Sequence, residues 1–212
     1  MQAYLTETYY FNYNHPAFQR LIVSVKSEKV SLKDQAINWY LKVRDGWWYD
    51  PYQISFKKEA LKASFIAGKK SGHCIDKAIL YITGARALGI PARLHLAKVK
   101  NHIAVERLVE KFGTNELTPH GYAEVFLENK WVSATPAFNQ ELCHKIGVSP
   151  LEFDGEHDSI FQQYSENGED FMEYLEDYGT FDDVPIDFIR KNMEENYPKL
   201  PQLLNEAGEL KL

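Results

Sequence analysis

The stretch Gly72-His73-Cys74-Ile75-Asp76-Lys77-Ala78, running on through Ile79-Leu80-Tyr81-Ile82 into Arg86-Ala87-Leu88-Gly89-Ile90-Pro91-Ala92-Arg93, decides how this chain reads. Ile75, Ala78, Ile79, Ile82 and Ala85-Arg86 recur at helical spacing. The segment therefore predicts an amphipathic helix with Cys74 at its start and Gly89 as its stop. Residues 91–98 alternate and predict a strand directly after it. A thiol at a helix N-terminus meets the positive end of the macrodipole and the unpaired amides of the first turn. Both favour the thiolate, the form that attacks carbonyl carbon. His120, in His120-Gly121-Tyr122-Ala123-Glu124-Val125, is the base that could complete a Cys–His pair. His102 is its rival, His73 is read as pointing off the thiol's side, and the competing reading of Cys74 is a buried packing thiol.

Upstream, Ser31 reads as an N-cap with Asp34 three positions on. The helix that follows carries Ala36, Ile37, Tyr40, Leu41 and Arg44 and is ended by Asp45-Gly46. Trp47-Trp48-Tyr49-Asp50-Pro51-Tyr52 forms an aromatic loop, and a short helix covers 57–67. Residues 4–12 are β-prone, and 17–26 fit a helix or a strand. Downstream, a short helix around 104–111 is broken by Gly113. The segments 120–126 and 130–134 then make a hairpin about Leu127-Glu128-Asn129. After Pro136 the pattern loosens into a helical turn over 141–147, strands or edge segments over 151–155 and 171–178, and an amphipathic helix over 185–195. The order predicts one α+β domain over 1–212, with its core at about 30–140 and C-terminal decoration at about 141–212.

Composition narrows the function classes. Of 212 residues 44% are hydrophobic and 14% aromatic, so large side chains dominate the core. The net charge of −6, with no Lys/Arg cluster, argues against a nucleic-acid partner. Cys74 and Cys143 are too few for a disulfide framework and fit a reducing, cytoplasmic setting. Met1–Glu7 lacks the basic and apolar regions of a signal peptide, and no apolar run approaches the roughly 20 residues that span a bilayer, so no membrane partner is expected. Cys143-His144 lacks the paired ligand spacing of a zinc site, and Glu166–Asp170 lacks the oxygen spacing of a calcium loop. No metal is expected, and thiol acyl chemistry requires no cofactor.

Taken together, the Cys74 block, the Arg86–Arg93 block and the His120 block with Trp131 resemble the transglutaminase-like superfamily over roughly residues 30–140. The resemblance implies a papain-like α+β core, in which the Cys begins a helix packed on an antiparallel sheet that carries the His. It implies a thiol-dependent hydrolase or acyltransferase, acting on the amide carbonyl of a peptide or small amide through a Cys acyl-enzyme. Cys74 would be the nucleophile and His120 the base. The superfamily's third residue is usually an Asp on the next strand, whereas Trp131-Val132-Ser133-Ala134-Thr135-Pro136 sets Thr135 there. Threonine accepts a hydrogen bond from an imidazole but brings no charge; Asn139, Asp154 and Asp158 are the alternatives for that role. The Cys74 backbone N–H would be one oxyanion donor, and Gln53, Tyr49 or Trp48 the second. Asp50-Pro51-Tyr52, Thr135-Pro136-Ala137-Phe138-Asn139 and Phe153-Asp154-Gly155 further resemble a bacterial branch of that superfamily, which brings no particular substrate. The missing aspartate leaves an alternative expectation, a catalytically inactive binding or interaction domain on the same fold.

Overall fold

The computed structural model describes residues 1–205, 209 and 210. In chain order the helices are α1 (Pro16–Ile22), α2 (Leu32–Gly46), α3 (Ala63–Ile66), α4 (Cys74–Ala87), α5 (Glu106–Phe112), α6 (Gln140–Ile146), α7 (Ile186–Asn196) and α8 (Leu200–Leu203). The strands are β1 (Trp48–Tyr49), β2 (Ser71–Gly72), β3 (Ala92–Asn101), β4 (Glu116–Leu127), β5 (Lys130–Ala134) and β6 (Met172–Phe181). The main sheet is antiparallel in the order β5-β4-β3-β6, and β1 pairs with β2 in parallel. The fold class is α+β, with an antiparallel sheet backing the helix that starts at Cys74.

The α4 helix is the centre of the molecule. Its sequence predicts one apolar face, yet every residue from Cys74 to Arg86 is buried. The β3–β4 face covers one side and α2 with α3 the other, so the polar positions are enclosed along with the apolar ones. Each charged side chain finds a partner in place, although Asp76 Oδ1 is left without a hydrogen bond. Asp76 pairs with Lys69 at 3.1 Å. Lys77 Nζ donates to the Arg44 and Trp47 carbonyls at 2.7 and 2.8 Å, closing the C-terminal end of α2. Arg86 donates to the Thr6, Ala92 and Asp182 carbonyls and lies over the Phe11 ring. Helices α2 and α4 meet at Gly84, where a β-carbon would come within 2.1 Å of Trp39 Nε1, which donates to the Leu80 and Tyr81 carbonyls.

Local signals decide the element ends. Ser31 Oγ accepts from the Asp34 N–H at 3.1 Å, opening α2 as its spacing predicts. Glu128 and Asn129 take φ of 48° and 67° in the β4–β5 turn, and Gly113 closes α5 at φ 85°. The expectation of strand character in 4–12 and 151–155 is corrected. Phe11 donates its N–H to Thr8 Oγ1, and Tyr10 gives its carbonyl to Ala63 N–H. The Leu151 carbonyl takes Tyr40 Oη and Arg44, and the Glu152 carbonyl takes Ser159 Oγ. With backbone groups held by loops and side chains, neither segment has a free edge to pair. The segment 171–178 joins the main sheet as β6, beside β3.

Candidate active site

Three contacts assemble the surroundings of Cys74. First, α4 starts directly against β4. A β-carbon on Gly121 would lie 2.7 Å from Ile75 Cγ1, so glycine after His120 is what lets the helix start approach the strand. The backbone N–H groups of Gly121 and Ile75 are directed at the Cys74 thiol. Second, the β1–β2 register sets Tyr49 opposite Gly72, two residues before Cys74, and Asp50 N–H donates to the Gly72 carbonyl at 3.0 Å. Third, β4 leaves its regular ladder near Pro119, where the register with β3 shifts. There Thr118 N–H donates to Tyr197 Oη at 2.7 Å, and Thr118 Oγ1 donates to Asn192 Oδ1 at 2.7 Å. Helix α7 and the residue just past it are thereby fastened to β4 beside Cys74.

Cys74 is 7% exposed and His120 1%. The sequence argument from the helix N-terminus favours a thiolate, and the Gly121 and Ile75 amides pull that way. Burial outweighs them and raises the thiol to about 11. Burial likewise lowers His120 to about 4, with the nearby His73 opposing a second positive charge. The thiol and the imidazole are thus both neutral at rest, and no hydrogen bond joins them, since neither His120 ring nitrogen has a partner among the described residues. His73 caps α4, its Nδ1 accepting from Asp76 N–H at 3.1 Å, and it also lines the cavity over Cys74.

Both His120 ring nitrogens and Thr135 Oγ1 are buried without a hydrogen-bond partner. A buried polar atom left unpaired costs about 1–3 kcal/mol, so these three atoms, with Asp76 Oδ1 as a fourth, are groups that the fold does not satisfy among the described residues. Thr135 follows Ala134, which pairs with Ala123 of the His120 strand; its carbonyl accepts from Tyr40 Oη at 3.0 Å, leaving the hydroxyl idle. Asn139 is buried, and its Oδ1 accepts from Tyr49 N–H at 3.0 Å, so it holds the Tyr49 loop and not the imidazole. Asp154 bonds His157 on the surface, and Asp158 Oδ1 accepts from Ser133 N–H. Neither carboxylate bonds His120.

Of the three expected oxyanion donors, Tyr49 alone lines the Cys74 cavity. Trp48 is half-exposed in a separate polar cleft with Asn139 and His144, and exposed Gln53 donates to Asp50. The rival base His102 sits near Glu173 at 3.5 Å, in a cleft with Phe161 and Tyr174. Cys143 is a free, fully buried thiol against the Phe138 carbonyl. Among the described residues no group of three or more His, Cys, Asp or Glu could hold a metal, and no helix is long and apolar enough to cross a membrane. Sequence reasoning missed Tyr197, Met193, Thr118 and Leu117, which complete the cavity wall around Cys74. They carry no motif and come from elements distant in the chain.

No curated protein sequence matches this chain. A solved structure from Cytophaga hutchinsonii, described as a putative cysteine protease, is similar in fold. Its TM-score is 0.54 at 14% identity, covering 88% of this chain and 48% of that one. The chain thus spans about half the length of that neighbour. The family model described as "Transglutaminase-like superfamily" matches residues 19–136, just over half of the chain. That span runs from α1 through the helix begun by Cys74 and the strand that carries His120, to the end of the hairpin. By this match, the chain belongs to the transglutaminase-like superfamily.

Proposed function

We propose that this protein is a thiol-dependent hydrolase or acyltransferase, which opens an amide carbonyl through an acyl-enzyme on Cys74. The observation that carries the reading is the thiol at the first residue of α4, set against the His120–Gly121 step of β4, where both imidazole nitrogens are buried and unclaimed. In the neutral resting pair, proton transfer accompanies attack. Sγ bonds to the carbonyl carbon while its proton passes to His120. The oxyanion is met by the Cys74 backbone N–H and by Tyr49 Oη. His120 then protonates the leaving amine as the C–N bond breaks. Water or an amine attacks the thioester and gives its proton to His120, and the C–S bond breaks as His120 returns that proton to Sγ. A second reading, a non-catalytic binding or interaction domain, draws on the Thr135 hydroxyl and the His120 ring, neither of which has a hydrogen-bond partner among the described residues.

Mixing the protein with p-nitrophenyl acetate separates the two. The acyl-enzyme reading expects one equivalent of nitrophenolate released quickly and an acetyl group located on Cys74 by peptide mass. The burst is lost in Cys74→Ala and slowed about 100-fold or more in His120→Ala. No burst, or a burst indifferent to His120, refutes it.

A further inference from the structure

The cavity directly over Cys74 has a volume of about 20 Å³, room for a group the size of a water molecule, such as a carbonyl oxygen, but not for a substrate side chain. A much larger cleft of about 220 Å³ shares three of its walls, Tyr49, Pro51 and Leu117. The rest of that cleft is mostly apolar, formed mainly by Ile103, Leu142, Ile146 and Phe171, with Asn101 and Arg107 as its polar lining. An apolar cavity of about 150 Å³ holds a benzene ring, so this one accommodates an aromatic side chain with space for its backbone link. Its charged lining residue is Arg107, exposed and set over the Tyr52 ring at 4.5 Å. Among the described residues Arg107 makes no ion pair. Arg107 is the strongest charge acting on Tyr52 at that wall, opposed by Asp50 and Glu110, and it favours neutral or anionic groups next to the ring over a lysine or arginine.

We propose that this cleft is the specificity pocket of the Cys74 site and takes an aromatic side chain adjoining the scissile amide, from a neutral or acidic peptide-like substrate. The proposal rests on the acyl-transfer reading, since the cleft lies next to the Cys74 cavity and shares the walls Tyr49, Pro51 and Leu117 with it. Beyond that reading, it names which substrates are accepted.

Binding to full-length Cys74→Ala protein tests it without turnover. N-acetyl-phenylalaninamide, N-acetyl-glycinamide and N-acetyl-lysinamide are titrated and followed by NMR shift changes. Burial of the phenyl ring predicts about tenfold or more tighter binding than for the glycine compound, with the lysine compound weakest. Leu142→Trp and Ile103→Trp, each added to Cys74→Ala, place bulk in the cleft from different elements and should each erase the preference. If one variant fails to fold, the other carries the test. Equal binding of the three amides, or a phenylalanine preference that survives the folded tryptophan variant, overturns the pocket. Ester acylation of wild-type Cys74 without side-chain preference overturns the pocket alone and leaves the acyl-enzyme reading standing. A preference in Cys74→Ala beside a wild-type thiol that never acylates supports the cleft as a binding site and removes the acyl-enzyme reading.

Discussion

Gly121→Ala tests whether the approach of the Cys74 helix to the His120 strand is what builds the site. The added methyl would lie 2.7 Å from Ile75 Cγ1 and 3.2 Å from Ile75 Cα. Ordinary contact begins near 3.4 Å, so the methyl sits roughly 0.7 Å too close to a fully packed side chain. Overpacking of this kind costs about 1–3 kcal/mol, read as a fall in the denaturation midpoint at unchanged slope. Relief requires α4 to move off β4, and a displacement approaching 1 Å at reacting groups costs about 100-fold. Acylation of Cys74 by p-nitrophenyl acetate should therefore fall by tenfold or more. Ile75→Ala removes Cγ1 but leaves the 3.2 Å backbone contact. In that background, Gly121→Ala should cost less than about 1 kcal/mol, a coupling of about 1 kcal/mol between the two sites. Gly46→Ala, where a β-carbon meets nothing within 4 Å, is the control and should change stability by under about 0.5 kcal/mol. A Gly121→Ala cost as small as the control's, or the same cost with and without the Ile75 side chain, would refute the reasoning.

Three further perturbations follow from the same geometry. Tyr49→Phe should slow acylation by about 100-fold while leaving iodoacetamide alkylation of Cys74 unchanged, because alkylation forms no oxyanion; parallel loss of both rates would mean that the ring only packs. His95 bridges Glu124 and Asp177 at 2.8 and 2.7 Å; burial opposes its charge, but the two carboxylates prevail and raise its pKa. Its stabilisation is full below the unfolded value near about 6.5 and is lost as pH rises through the raised folded value, so His95→Gln should cost more at about pH 5.5 than at about pH 8.5 in urea titrations. Burial lowers Lys77 from 10.5 to about 7, so between those values the unfolded chain binds the extra proton and the contribution of Lys77 to stability rises with pH. Lys77→Met should be less stable, having left two carbonyls without a donor, and denaturation across that pH window should lack the lysine's upward slope.

Much of this was legible in residue order because local rules govern it. The Ser31 cap, the Gly113 stop and the Glu128-Asn129 turn need only near neighbours, and they stand where their chemistry requires. The β-prone segments at 4–12 and 151–155 misled, since strand propensity has no meaning without a partner edge, and other groups took their backbone bonds. The amphipathic reading of α4 failed for a related reason. Period alone does not reveal that a second layer covers the polar face, nor that Asp76, Lys77 and Arg86 find partners inside.

Residue identities alone were enough to mark Cys74 at a helix start, His120 on a later strand and the aromatic loop before them, because capping, periodicity and turn chemistry act over a few residues. Tertiary structure decided what these groups do to one another. Parallel pairing of Tyr49 with Gly72 chose one aromatic out of the loop, and Asn139 was drawn off to hold it. Tyr197 and Met193 closed the cavity from the far end of the chain. Enclosure then reversed the sign of the local argument at Cys74. A helix terminus favours the thiolate by a short-range field, whereas desolvation depends on everything packed around the sulfur, and here it is the larger effect.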